Sequence, residues 1–266
     1  ARPAPLVLCF PGSECPKEAL AGEPWPGPWV AKFPGQENMA QQVVQAGMVA
    51  AAFDNPGIGE LFDPASPDWR RQCHELLWLG MNYEGFSVWL KQAALVSLRR
   101  LPFIQPRRIV ACGHSLGAKT ALLLGVLEPR LHAVVWNDAA GSWRRRAVMT
   151  AVHPIAPWQY VPSLMRHFDY LDLMAAVAPR PLLITEGGIL VDHDWLRRAY
   201  AEQDGAGRCD IAFMPNFRDP GTHYRGPLPE TIASSEYARY ANFDHEHYFK
   251  GEIVIPWLHQ LLGVEQ

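Results

Sequence analysis

Residues 109–121 read IVACGHSLGAKTA, an apolar run that ends in a serine between two glycines and passes into a run of helix formers. Ile109–Cys112 predicts a buried strand and Ala118–Leu127 a helix, which puts Ser115 at a strand-to-helix junction. A turn that sharp needs bare backbone on either side, and Gly113 and Gly117 remove the side chains that would collide. The turn lifts the hydroxyl above the sheet edge and sets it at a helix N-terminus, where free N–H groups favour developing negative charge. An ordinary tight turn has the same G-x-S-x-G spelling, so the context decides: a strand before, a helix after, and a sheet around.

The rest of the chain supplies that sheet. Leu6–Phe10 ends at Pro11-Gly12 and reads as a strand, as do Met48–Phe53, Leu131–Trp136, Pro181–Thr185 and Cys209–Phe213. Helical patterns fall between them at 38–46, 84–101, 195–203 and 252–262. Continuous apolar strands alternating with helices predict an α/β fold, a mostly parallel sheet with helices on both faces. We read residues 1–266 as a single domain. A stretch at about 139–178 interrupts the alternation as a cap-like insertion, and one at about 214–246 as a long loop.

Composition narrows the partners. Hydrophobic residues make up 48% and charged residues 19%, as in soluble globular proteins, and the net charge of −3 leaves no basic block for nucleic acid. No apolar run has the ~20 residues that span a bilayer. No signal peptide is visible, and the sequence fits either the cytoplasm or secretion after a leader is removed. The five cysteines are irregularly spaced and lack a C-x-x-C, which argues against a structural zinc site and leaves room for one disulfide. No cofactor is expected, and nothing in the sequence fixes an oligomeric state.

A hydroxyl becomes a useful nucleophile only when a base takes its proton. In this topology the base comes late, between the last strand and the last helix, where His223, His245 and His247 fall. His247, just before the closing helix, is the preferred one. The acid that orients it is expected after Pro181–Thr185, among Glu186, Asp192 and Asp194, or at Asp138 after the preceding strand. Asp192 is the usual type, later than a short loop would place it; Glu186 sits almost on the strand. Oxyanion donors are expected from the backbone of Leu116 and from Gly12 or Ser13 after the first strand.

With these residues in place, the elbow, the stretch DNPGIGE (54–60), APRPLL (178–183) and His247-Tyr248-Phe249 together resemble α/β-hydrolase carbohydrate esterases. The bacterial acetylxylan-esterase-like and glucuronoyl-esterase-like groups are the most similar, over nearly the whole chain. The resemblance implies a serine esterase working through an acyl-enzyme on a small or polysaccharide ester. It also implies roles for two more positions. Lys119, four residues after Ser115, matches a lysine of glucuronoyl esterases, and Asp138 matches an alternative position for the acid, where that family carries glutamate. Relatives carry strands before the one at Leu6, so the chain is either a minimal version of the fold or part of a longer one. Arg144, the first of three arginines in the insertion, is a candidate for a uronic carboxylate.

Three rival readings remain at this stage. Asp192-His193-Asp194 and His245-Glu246-His247 offer ligands for a metal ion, though the elbow then has no purpose and no metal site is assigned. The others are a sugar-binding relative without turnover and a hydrolase of small non-sugar esters, such as dienelactones.

Overall fold

The computed structural model describes residues 2–24, 37–65, 68–150, 158, 160–243 and 246–264. Six strands form one sheet: β1 (Ala4–Phe10), β2 (Val49–Ala52), β3 (Ile104–His114), β4 (Ala133–Asn137), β5 (Leu182–Ile184) and β6 (Cys209–Ile211). Their order is β2-β1-β3-β4-β5-β6, and every neighbouring pair is parallel. Helices α1 (Lys17–Leu20), α2 (Met39–Gln45), α3 (Trp69–Trp78) and α4 (Tyr83–Leu98) precede β3. After it come α5 (Leu116–Leu127), α6 (Trp143–Thr150), α7 (Leu164–His167) and α8 (Tyr170–Ala175). The chain then adds α9 (Leu190–Ala201), α10 (Tyr237–Tyr240) and α11 (Gly251–Leu262).

Alternate strand residues feed two separate cores, as the period-2 geometry of a strand requires. Leu6, Leu8, Phe10, Ile109, Ala111, Val134, Trp136, Leu182 and Ile184 pack on one face with residues of α4, α5, α8 and α9. Val7, Cys9, Val110, Cys112, Val135 and Leu183 pack on the other with α1, α2 and α11. Burial on both faces explains why these strands are unbroken apolar runs in the sequence. The five cysteines are free and buried.

The strand order reverses between β1 and β3, which opens a crevice at their carboxyl ends. Ser115 stands there, after β3, with φ of 55° and ψ of −114°. That conformation costs about 1–3 kcal/mol for a residue with a Cβ. It persists because neighbouring backbone packs without side chains: a Cβ on Gly113 would lie 1.9 Å from the Gly117 carbonyl oxygen, and one on Gly117 would lie 2.1 Å from that of Phe10.

Several elements differ from the sequence-based expectation, among them β3, which begins at Ile104 rather than Ile109, and α3, which was not expected. Helix α9 begins at Leu190, five residues before the expected Trp195, because its first turn is anchored by Asp192, whose carboxylate accepts the Ser142 N–H at 3.1 Å and meets Arg145 at 3.0 Å. The connection from β5 is correspondingly short and turns on Gly187 and Gly188, at φ of 65° and 143°. Within 139–178 the described residues form helices α6, α7 and α8, none of which was read from the sequence.

Gly117→Ala is expected to destabilise the protein by about 1–3 kcal/mol or more, because the intruding methyl meets backbone that cannot rotate away. Urea unfolding checks this; a midpoint equal to that of the wild type would contradict the packing described.

Candidate active site

Four strand ends converge on the crevice. After β3 the elbow presents Ser115, half-buried, whose N–H donates to the Asn137 carbonyl at 3.1 Å. After β1, Gly12 lies against it: a Cβ there would stand 3.8 Å from Ser115 Cβ and 3.5 Å from His114 Nδ1. Ser13 follows in the same turn, and Leu116 opens α5. Gly12 and Leu116 thus lie beside the serine, and Ser13 is the next residue after Gly12.

His247 lies in the connection before α11. Its Nδ1 is 2.9 Å from Glu186 Oε2, a carboxylate with no solvent exposure immediately after β5. The other oxygen, Oε1, accepts from Asn137 Nδ2 at 3.2 Å and faces Lys250 Nζ at 3.4 Å. Such a buried carboxylate is tolerable only when its lone pairs are met by donors, as here. Asn137, at the end of β4, also holds the histidine's flanks: its Nδ2 donates to the Tyr248 carbonyl at 3.0 Å, and its Oδ1 accepts from the Lys250 N–H at 2.8 Å. Burial works to lower the His247 pKa, but the charge and hydrogen bond of Glu186, with the charge of Asp138, outweigh it and hold the imidazole above its ordinary value.

The carboxylate hydrogen-bonded to His247 is thus Glu186, one of the candidates read from the sequence, rather than the preferred Asp192 or Asp138. Asp192 lies inside α9 and is occupied by Ser142 and Arg145. Asp194 is on the same helix beside Arg197. With α9 starting at Leu190, Asp192 lies in its first turn rather than in the loop after β5. Asp138 pairs instead with Lys119, and burial, which opposes ionisation, is outweighed by Lys119 and His247, holding the carboxyl below its usual range. Lys119 itself is buried, with its ammonium 5.0 Å from the Trp136 ring centre and 5.2 Å from that of Trp143. The Arg144 guanidinium donates to the Met165 carbonyl, tying α6 to α7.

Of the other histidines, His223 bonds the Phe217 carbonyl at 2.7 Å, and His245 lies outside the described residues. His114 is buried, with its ring centre 4.5 Å from that of His247 and its Nδ1 3.2 Å from Glu37 Oε2. Burial raises the Glu37 carboxyl, but His114, His247 and Lys250 more than offset this and hold it low. Among the described residues, the group spaced for a metal ion is His114, Glu186 and His247, of which two are already bonded to each other. The ligand set expected around Asp192-His193-Asp194 is not assembled there: Asp192 is engaged by Arg145, and His193 is buried against Phe213.

A parallel sheet with this elbow and a histidine–carboxylate pair arriving from later strands defines an α/β-hydrolase. The chain belongs to the Abhydrolase family, whose sequence profile matches residues 1–260. It is 35% identical to the "putative acetyl xylan esterase" of Bacteroides fragilis, covering 98% of this chain and 73% of that one, with a TM-score of 0.90. A glucuronoyl esterase from Teredinibacter turnerae shares the fold, with 16% identity, 97% and 66% coverage and a TM-score of 0.56. Among curated proteins, "Putative hydrolase YtaP" of Bacillus subtilis is 24% identical over 152 residues, 56% of this chain and 49% of that protein. The chain thus spans about half the length of that curated relative. Among the described residues no helix is long and apolar enough to cross a membrane.

Asn137, Lys250 and Glu37 were not foreseen from the sequence. Asn137 had one signal, a polar residue closing the apolar run Ala133–Trp136. An imidazole must be neutral to accept a proton, so a raised His247 pKa places the acid limb of the rate profile above the ordinary histidine range. Glu186→Gln is expected to lower turnover by roughly 10³–10⁴-fold and to move that limb to lower pH. Asp192→Asn is expected to keep turnover near that of the wild type. A pH–rate series on the two variants checks both, and the reverse ranking would overturn the assignment.

Proposed function

We propose that the protein is a serine esterase acting on a carbohydrate ester, with Ser115 as nucleophile, His247 as base and Glu186 as the acid that orients it. The observation that carries this reading is the 2.9 Å pair between His247 and the fully buried Glu186, in a sheet whose β3 ends in a serine on a strained strand-to-helix turn. Family membership and the 35% identity to the Bacteroides fragilis protein support it.

In this mechanism Glu186 fixes the tautomer that carries its proton on Nδ1, which leaves Nε2 as the acceptor. His247 takes the Ser115 proton as the oxygen attacks the ester carbonyl. The N–H groups of Leu116 and of the Gly12–Ser13 turn receive the oxyanion. The C–O bond to the alcohol breaks, and His247 returns its proton to the leaving alkoxide. Water then repeats the sequence on the acyl-enzyme with the same base, releasing the carboxylic acid and freeing Ser115.

The 35% identity to the "putative acetyl xylan esterase" of Bacteroides fragilis favours an acetyl ester over a glucuronoyl ester.

Ser115→Ala is expected to lower turnover by about 10⁴–10⁶-fold, as when one member of such a unit is lost. Assays on acetylated xylan, a glucuronoyl ester and p-nitrophenyl acetate, side by side, test both parts. Release of acetate from xylan by the wild type only is the predicted outcome. Undiminished turnover by the variant would remove the serine, and preference for the glucuronoyl ester would remove the acetyl reading.

A further inference from the structure

Behind the turn after β1 runs a buried polar chain that the mechanism above does not use. It begins at Lys91 on α4, a lysine only 1% exposed. Its ammonium has three acceptors: Ser87 Oγ at 2.6 Å, the Asp54 carbonyl at 3.1 Å and Asn55 Oδ1 at 3.4 Å. The Asn55 amide, fully buried, then donates through Nδ2 to the Gly12 carbonyl at 3.0 Å and the Pro11 carbonyl at 3.4 Å.

The two carbonyls matter because of what lies at the other end of each peptide unit. In a trans peptide C=O and N–H share one plane and point in opposite directions. Holding the Pro11 carbonyl therefore aims the Gly12 N–H, and holding the Gly12 carbonyl aims the Ser13 N–H. Both N–H groups belong to the turn that packs against Ser115. The ammonium on Oδ1 also settles which way the amide faces, since a flipped Asn55 would set an NH₂ group against a cation and an oxygen against two carbonyls.

We infer that Asn55 and Lys91 are positioning residues of the oxyanion hole: the ammonium orients the amide, and the amide orients the Gly12 and Ser13 donors. The inference rests on the reading of Ser115 as nucleophile. Asp54 braces the same loop, its carboxylate accepting the Lys17 N–H at 2.8 Å and the Glu60 N–H at 3.2 Å. Burial holds the Lys91 pKa below its ordinary value, acting against the charges of Glu84 and Asp54.

The test uses Asn55→Asp, which is isosteric, keeps an oxygen for Lys91 and loses the donor, with Lys91→Met beside it. Turnover of p-nitrophenyl acetate is expected to fall about 10–100-fold in each, short of the ~10²–10³ of deleting a donor outright, with KM little changed. Affinity for a trifluoromethyl ketone, which forms the tetrahedral adduct, is expected to fall by the same factor. Ser87→Ala, which leaves the Lys91–Asn55 link intact, is expected to behave as the wild type. Folded Asn55→Asp with wild-type kcat would overturn the inference. If Ser115→Ala has no turnover while Asn55→Asp is unimpaired, only the positioning role fails. Full turnover by Ser115→Ala removes both.

Discussion

The carbonyl oxygens of Phe10 and Gly117 occupy the space that side chains at positions 117 and 113 would need. This close approach of β1, β3 and α5 lets Ser115 take a positive φ where β3 passes into α5. The local cost is a few kcal/mol, and it is carried by the two buried faces of the sheet. Because β1 and β3 are adjacent and the strand order reverses between them, the turn after β1 and the elbow after β3 necessarily face each other.

Two buried amides organise what surrounds the elbow. Asn137, the last residue of β4, receives the Lys250 N–H and donates to the Tyr248 carbonyl and to Glu186, so the His247 segment and Glu186 are fixed against one strand end. Asn55, after β2, does the corresponding job on the opposite side, holding the Pro11 and Gly12 carbonyls. Each amide uses both its donor and its acceptor ends, which makes the arrangement directional in a way that a single charge would not be. A lysine stands behind each, Lys250 facing Glu186 and Lys91 facing Asn55 itself.

Much of this was legible in the sequence because burial on both faces of a parallel sheet writes each strand as an apolar run. Leu6–Phe10, Ile109–Cys112 and Leu131–Trp136 are plain in that sense, and Gly113 and Gly117 mark the elbow. His247 could be chosen by its place before the last helix. The carboxylate bonded to it could not, since the choice between Glu186 and Asp192 depends on where α9 begins. No cap signal marks that start: Ile189 precedes the helix without a side-chain cap bond, and tertiary contacts of Asp192 with Ser142 and Arg145 anchor the first turn. Asn55 and Asn137 gave little sign, because one buried amide forms no periodic pattern. Lys91 did leave a trace. It falls on the same side of α4 as Val88 and Leu95, where a charge needs buried partners.

The most direct measurement is the intact mass of the protein after exposure to a fluorophosphonate, with the modified peptide sequenced. A nucleophile activated by His247 predicts one adduct, on Ser115, formed by the wild type and lost in His247→Ala. Labelling at another residue, or labelling of Ser115 that proceeds as fast without His247, would contradict the account.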